Sequence, residues 1–159
     1  MPLWWIMAML PALMLTVATH AEAATATATL TVTANVRSGC SIENGSLNFG
    51  DYTAGQAQAL DGTGIIRIRN CAGLTVTIEL DGGSSGSVNN RELRSTNGRL
   101  SYQLYRDPAR SEVWGTGNDA NRVQILDSDV SIQVFGRIFS GQNVPAGSYT
   151  DTISVTMTF

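Results

Sequence analysis

Apolar and polar residues alternate strictly along two stretches near the ends of the chain, residues 30–36 and residues 153–159. Alternation with a period of two places every second side chain on one face of a β-strand, so one face of each strand is expected to be buried. The apolar positions of the first stretch are Leu30, Val32, Ala34 and Val36. Those of the second stretch are Ile153, Val155, Met157 and Phe159.

The rest of the chain carries the same strand signal and almost no helix signal. Gly, Ser, Asn and Asp separate the alternating stretches, as in tight turns, and apolar residues do not recur with the period of a helix. The last strand is expected to begin near residue 149. Further strands are predicted over residues 47–52, 64–70, 74–81, 100–105 and 130–138. Seven or eight short strands without helices predict a single antiparallel β-sandwich.

The N-terminus reads as a cleaved signal peptide. Residues 1–18 are apolar and uncharged, and Ala21-Glu22-Ala23 is a small-residue cleavage signal, so residues 1–23 are expected to be removed. No basic residue precedes the apolar stretch, which departs from the usual pattern. The alternative of a retained membrane anchor is disfavoured because the stretch is shorter than the roughly 20 residues of a spanning helix and contains Pro11. Secretion is therefore predicted.

Composition argues against catalysis. The only histidine, His20, lies in the leader, and the chain has no lysine, so no base remains to activate a serine or cysteine nucleophile. Paired carboxylates could hydrolyse a glycoside, but no spacing singles out a pair. The net charge of −3 comes without a basic block, which excludes nucleic acid as a partner. We expect no enzyme activity, no cofactor and no small-molecule substrate.

Cys40 and Cys71 are the only cysteines. In a secreted chain two cysteines predict one disulfide, which would stabilise the fold by about 3–4 kcal/mol. The alternatives are two free buried thiols, which an oxidising compartment disfavours, and a zinc site, for which no His remains.

Two loops and two aromatic residues are candidates for other chemistry. Residues 81–87 and 118–121 carry Asp and Asn oxygens that suit Ca²⁺, but neither matches a spaced calcium loop, and ordinary turns are the preferred interpretation. Tyr105 and Trp114 could stack on a sugar ring, but a packing role is preferred.

The order of these motifs resembles the spore coat protein U domain family, which includes the major pilin of Csu-type pili of the archaic chaperone–usher class. The resemblance covers essentially the whole mature chain, and its most specific tracts are residues 102–114 and 135–149. It implies an incomplete immunoglobulin-like antiparallel β-sandwich with an N-terminal donor strand. Residues 24–36 would be the donor strand, and residues 37–159 the pilin-like body.

The resemblance also implies an assembly mechanism. Leu30, Val32, Ala34 and Val36 match the inward residues of the donor strand. Ile153, Val155, Met157 and Phe159 match the acceptor groove, and Phe159 is a candidate chaperone contact. The implied partners are a periplasmic chaperone, an outer-membrane usher, and copies of the chain or sister pilins. The implied product is a cell-surface or extracellular fibre, exported through the periplasm, that supports adhesion and biofilm formation.

Alternation alone leaves other interpretations open, because it cannot say which molecule supplies the partner of a strand. Both terminal strands could pair within their own subunit. The protein would then be a self-complete extracellular β-sandwich that binds carbohydrate or a surface ligand. A coat or matrix protein that forms no fibre is a further possibility.

Overall fold

The computed structural model describes residues 27–35 and 39–159. The chain divides into two units, Met1–Asn35 and Val36–Phe159. The signal-peptide residues 1–23, residues 24–26 of the predicted donor segment and Val36 lie outside the described residues.

Residues 27–35 form no strand, although alternation predicted one from residue 30 onward. Leu30 is 86% exposed and Val32 is 82% exposed, and Ala34 is exposed as well. A β-strand needs a neighbouring strand for its backbone hydrogen bonds, and no described strand pairs with this segment. The role of these residues as a donor strand therefore stays a prediction.

The second unit is an all-β body, as the alternation predicted. All of its ladders are antiparallel. Its described strands are β1 (Ser41–Leu47), β2 (Leu60–Arg69), β3 (Thr75–Leu80), β4 (Arg91–Arg94), β5 (Arg99–Tyr105), β6 (Asn121–Gln124), β7 (Asp129–Ile138) and β8 (Val155–Thr158). The only helical pieces in the described residues are two 3-10 turns, Gly83–Ser85 and Gly117–Asp119. No helix among the described residues is long and apolar enough to span a membrane.

The strands form two sheets. The larger sheet has the order β1-β2-β7-β5-β4, and its longest ladder joins β2 to β7 from Leu60↔Ile138 to Arg69↔Asp129. The smaller sheet has the order β6-β3-β8. In both sheets buried and more exposed residues alternate along the strands, so the apolar faces meet in one core. The largest fully buried apolar side chains are Trp114, Ile68, Ile78, Ile125 and Ile138. Tyr105 is also buried, so both aromatic residues proposed for sugar stacking have the packing role.

Several strand boundaries differ from the predicted ones. Residues 48–52 are not a strand; the strand lies earlier, at Ser41–Leu47, where few residues are apolar because β1 is an edge strand. The short and largely polar strands β4 and β6 were not predicted. The last strand begins at Val155 instead of near residue 149, because residues 151–154 form no regular ladder and are held mainly by hydrogen bonds to side chains.

The predicted disulfide between Cys40 and Cys71 is confirmed, with 4.6 Å between the two Cα atoms. Cys40 directly precedes β1, and Cys71 closely follows β2. The bridge therefore fastens β1 to β2 at the end where the chain enters the body.

Candidate functional site

An open cleft separates the two sheets where β1 and the start of β8 face each other. β1 pairs only with β2, and β8 pairs only with β3 among the described strands, so each has one unpaired edge. The cleft has a volume of about 750 Å³. Its floor consists of apolar core residues from both sheets, namely Ile66, Leu80, Leu93, Leu104 and Val134. The open cleft is thus an apolar channel between two strand edges.

The first wall of the open cleft is β1. Ile42 and Leu47 contribute its apolar side chains, and an irregularity between Glu43 and Ser46 interrupts its pairing with β2. At the end of β1, Leu47 and the nearby Phe49 lie over Gly136 of β7. They lie so close that a Cβ atom at residue 136 would overlap both side chains. Phe49 also packs edge-on against Tyr102, with 6.0 Å between ring centroids. Both side chains also line the open cleft.

The second wall is residues 151–155. Thr150 and Arg94 exchange two backbone hydrogen bonds of 2.8 and 3.0 Å, which tie the start of this segment to β4. Further along, Ser154 donates its backbone N–H to Asp81 Oδ1 (2.9 Å) and accepts the Asp81 N–H at its carbonyl oxygen (3.1 Å). The regular ladder with β3 begins only at Val155, opposite Leu80. The wall is therefore well anchored on the side away from the open cleft.

A polar network made of Asp81, Arg91, Tyr102 and Asp151 lies next to this wall. Arg91 is completely buried, and its guanidinium donates to the carbonyl oxygens of Leu80 (3.0 Å), Asp81 (2.7 Å) and Trp114 (2.9 Å). It also donates to Gln103 Oε1 at 2.6 Å. Burial lowers the pKa of Arg91, and Tyr102, Asp81 and Asp151 oppose that change. These contacts satisfy the buried cation and join the two sheets.

Tyr102 links the polar network to the open cleft. Its hydroxyl donates to Asp151 Oδ2 at 2.6 Å, and both residues line the cleft. Burial raises the pKa of Tyr102 far above its ordinary value, and the hydrogen bond to Asp151 raises it further. The phenol therefore stays protonated throughout the physiological pH range and is available as the donor to Asp151.

Asp81 acts as an acceptor that fixes two backbone segments. Burial by itself would raise its pKa, but the backbone N–H groups of Gly83 and Ser154 donate to its carboxylate, and the net effect is a lowered pKa. The Gly83 N–H lies 2.9 Å from Asp81 Oδ1, which makes an Asx-type turn at the start of the candidate cation loop. Directly before the other candidate loop, the N–H of Gly117 donates to Glu79 Oε1 at 2.7 Å. No cluster of three or more His, Cys, Asp or Glu that could hold a metal occurs in the described residues.

The structure brings together part of the predicted acceptor groove. Ile153 and Val155 line the open cleft. Met157 packs against the core but does not line the cleft, and Phe159, at the C-terminus, is 58% exposed. The prediction missed the β1 wall and the polar network. The apolar residues Ile42 and Leu47 were a weak sequence signal for the β1 wall. The polar network left no signal in the sequence, because the hydrogen-bond partners of Arg91 are distant from it along the chain.

The chain is similar to a known protein family and to a known protein along most of its length. The family described as the Spore Coat Protein U domain matches residues 26–156. Protein U of Myxococcus xanthus is 38% identical over 172 residues, which cover 97% of this chain and 96% of Protein U.

A solved structure has a similar fold: the crystal structure of the CsuC-CsuE chaperone-tip adhesion subunit pre-assembly complex, from archaic chaperone-usher Csu pili of Acinetobacter baumannii. The TM-score is 0.53 at 24% identity, with 76% of this chain matched. The present chain spans 39% of the length of the solved chain. The family match covers most of the chain, and the curated relative is similar along its whole length. The chain therefore belongs to the Spore Coat Protein U domain family.

Proposed function

We propose that the protein is a structural subunit of a secreted surface fibre, assembled by a chaperone–usher pathway through donor-strand exchange. The observation that carries the proposal is the open cleft, an apolar channel flanked by the unpaired edges of β1 and β8. Adhesion and biofilm formation are the proposed roles of the fibre.

An inserted strand would remove two defects of the isolated body. Unpaired strand edges leave N–H and C=O groups without partners and invite association with other chains. The apolar side chains of the two walls are also only partly buried, and an inserted strand would gain about 25 cal/mol for each Å² of apolar surface that it covers. One extended strand supplies both the hydrogen bonds and the apolar side chains.

The proposed strand is the N-terminal segment of another copy. β1 has seven residues, a length of about 24 Å, and the alternating segment 30–36 has the same length. Leu30, Val32 and Ala34 are exposed in the subunit and are thus available to a partner. Inserted with these side chains inward, the segment would cover Ile153 and Val155, and its outward Thr residues would face solvent.

The partners before assembly are proposed by likeness. The printed title of the similar solved structure names a complex of a chaperone with a tip adhesion subunit before assembly. We propose that a periplasmic chaperone likewise occupies the open cleft of this subunit, with Phe159 as a contact, until an outer-membrane usher exchanges it for the next subunit. The fibre would then reside at the cell surface, made of copies of this chain or of sister pilins.

A cross-link between two differently tagged chains tests the proposal. One chain carries Val32→Cys and the other carries Val155→Cys, so a covalent heterodimer requires the segment of one molecule to lie in the open cleft of the other. We expect the heterodimer under mild oxidation, and we expect much less with Thr33→Cys, whose side chain points away from the cleft. A Val32→Cys pairing that yields no more heterodimer than the Thr33→Cys pairing would contradict the proposal.

A coat protein without fibres is a second candidate, favoured by the match to Protein U along nearly its whole length. Negative-stain electron microscopy of the secreted material separates the two. Linear fibres one subunit wide support the pilus proposal, and sheets or amorphous layers support the coat.

A further inference from the structure

Residues 151–154, one wall of the open cleft, precede the regular ladder of β8 and are held in place mainly by side chains. The N–H of Ser84 donates to Asp151 Oδ1 at 2.8 Å, and the N–H of Ser154 donates to Asp81 Oδ1 at 2.9 Å. Between these two anchors, the backbone N–H and C=O of Ile153 bond to no other described residue. The wall is thus fixed at both ends and presents free backbone groups between them.

The hydroxyl of Tyr102 reaches this wall from the opposite sheet. Tyr102 lies on β5 of the five-stranded sheet, is almost fully buried, and donates to Asp151 Oδ2 at 2.6 Å. Gly83 has a φ of +57° and lies against Asp151 and Ile153. A Cβ atom at residue 83 would overlap both the Asp151 carboxylate and the Ile153 side chain. Tyr102 on one sheet and the 3-10 turn Gly83–Ser85 therefore hold Asp151 from two directions.

The buried guanidinium of Arg91 supports the same arrangement from behind. It donates to the carbonyl oxygens of Leu80 and Asp81, directly before the turn that contacts Asp151. Its positive charge also interacts favourably with the carboxylates of Asp81 and Asp151. The residues that fix the wall are thus held next to a buried cation, by contacts that involve only the subunit's own residues.

We infer that Tyr102 and Asp151 are positioning residues for strand capture, which hold residues 151–154 in a strand-ready conformation before the incoming strand arrives. This inference rests on the proposed function. A wall that is already ordered does not lose conformational entropy when the strand binds, so more encounters with an incoming strand succeed. The contribution therefore falls on the rate of capture and not on the stability of the filled subunit.

The test uses the full chain with Val32→Asp, which disables its own donor segment and leaves the cleft free. A fluorescent synthetic peptide of residues 24–36 is added, and its association rate is followed by stopped-flow anisotropy. Adding Tyr102→Phe, which removes only the hydroxyl, is expected to slow association on the order of tenfold, the effect of losing one hydrogen bond to a charged group. Tyr105→Phe is the matched control on the same strand, because the Tyr105 hydroxyl makes no hydrogen bond in the polar network. This control should leave the association rate unchanged.

Asp151→Asn is a second variant, since its amide oxygen still accepts hydrogen bonds but carries no charge; it should also slow association. Equal association rates for Tyr102→Phe and its background would overturn the inference. It would also be overturned if Tyr102→Phe lowered the unfolding temperature of the peptide-bound form without slowing association, because that result indicates a purely structural role. A background protein that takes up no peptide at all would instead overturn the proposed function, and the inference with it.

Discussion

The two sides of the sandwich differ in how the sheets are joined. On the closed side, the crossing segment of residues 113–115 connects them: the N–H of Trp114 donates to the Leu104 carbonyl of one sheet (2.9 Å), and its Nε1–H donates to the Ile78 carbonyl of the other (2.9 Å). On the open side, the edges of β1 and β8 face each other across the open cleft with no described segment between them.

This difference shows that the gap is not a general weakness of the fold. The closed side contains a completely buried Trp114 whose backbone and indole N–H groups both have partners, so packing there is of ordinary quality. On the open side the floor is equally apolar, but the apolar side chains of the two walls are only partly buried. Under the proposed function, we interpret the open side as an interface to which another molecule contributes a strand.

The largest expected effect is on assembly through the open side. Val32→Asp should abolish polymerisation while leaving a secreted, folded subunit, because a carboxylate without a partner cannot enter an apolar cleft without a cost of several kcal/mol. The measurement is the size distribution of secreted material on gels of unheated samples. Thr33→Asp is the matched control, since its side chain should face solvent, and it should still polymerise. Normal polymers from Val32→Asp would contradict the donor role.

A substitution on the closed side should lower the free energy of unfolding. Trp114→Ala removes a fully buried indole and should lower the free energy of unfolding by about 3–5 kcal/mol, as measured by urea denaturation. Phe159→Ala removes an aromatic side chain that is 58% exposed, and it should change stability by less than about 0.5 kcal/mol. If the two variants lost similar amounts of unfolding free energy, burial of Trp114 and exposure of Phe159 would not account for the stability of the body.

The disulfide connects the entry of the body to the first wall of the open side. Replacing both Cys40 and Cys71 by Ser should destabilise the body by about 3–4 kcal/mol, since the bridge closes a loop with a sequence separation of 31. Urea denaturation of the oxidised protein and the variant measures the difference, and the yield of secreted protein should fall. Equal stability of the two proteins would contradict this contribution.

Acid should weaken both sheets by a smaller amount. The hydrogen bond from Arg137 lowers the pKa of Asp61, and backbone N–H groups, acting against burial, lower that of Asp81, both from an ordinary value of 3.8. Carboxyls with a lower pKa in the folded protein contribute stability that is complete above the unfolded value and is lost as pH falls through the folded value. Stability should therefore fall from about pH 5 downward. Thermal unfolding against pH measures it, and Asp81→Asn should flatten the curve; an unchanged curve would exclude Asp81 as a source.

Much of the fold could be predicted from local pattern. Strands β3, β5 and β7 are half-buried, so each carries a clear apolar–polar alternation, and two cysteines in a chain with a predicted signal peptide sufficed to predict their bridge. β1 was placed too late because an edge strand that borders an open cleft buries little, and its sequence from Ser41 to Leu47 is correspondingly polar. β4 and β6, with four residues each, are too short to show a period.

The site was only partly predictable for a related reason. Ile153 and Val155 were found because they continue an alternating stretch into the cleft. The polar network was not found, because Arg91 bonds to backbone oxygens as distant in sequence as that of Trp114, and a carbonyl oxygen is present at every residue. Such contacts depend on the tertiary fold and leave no mark in spacing or composition.

The central claim is that the N-terminal segment of one molecule completes the body of another. Its most direct test is the native mass of the secreted, unheated wild-type protein. Strand exchange between subunits should give a series of masses at whole multiples of one subunit, and the series should collapse to the single subunit after heating in denaturant. A single stable mass of one subunit, resistant to protease and with residues 24–36 cleavable without loss of the fold, would contradict it.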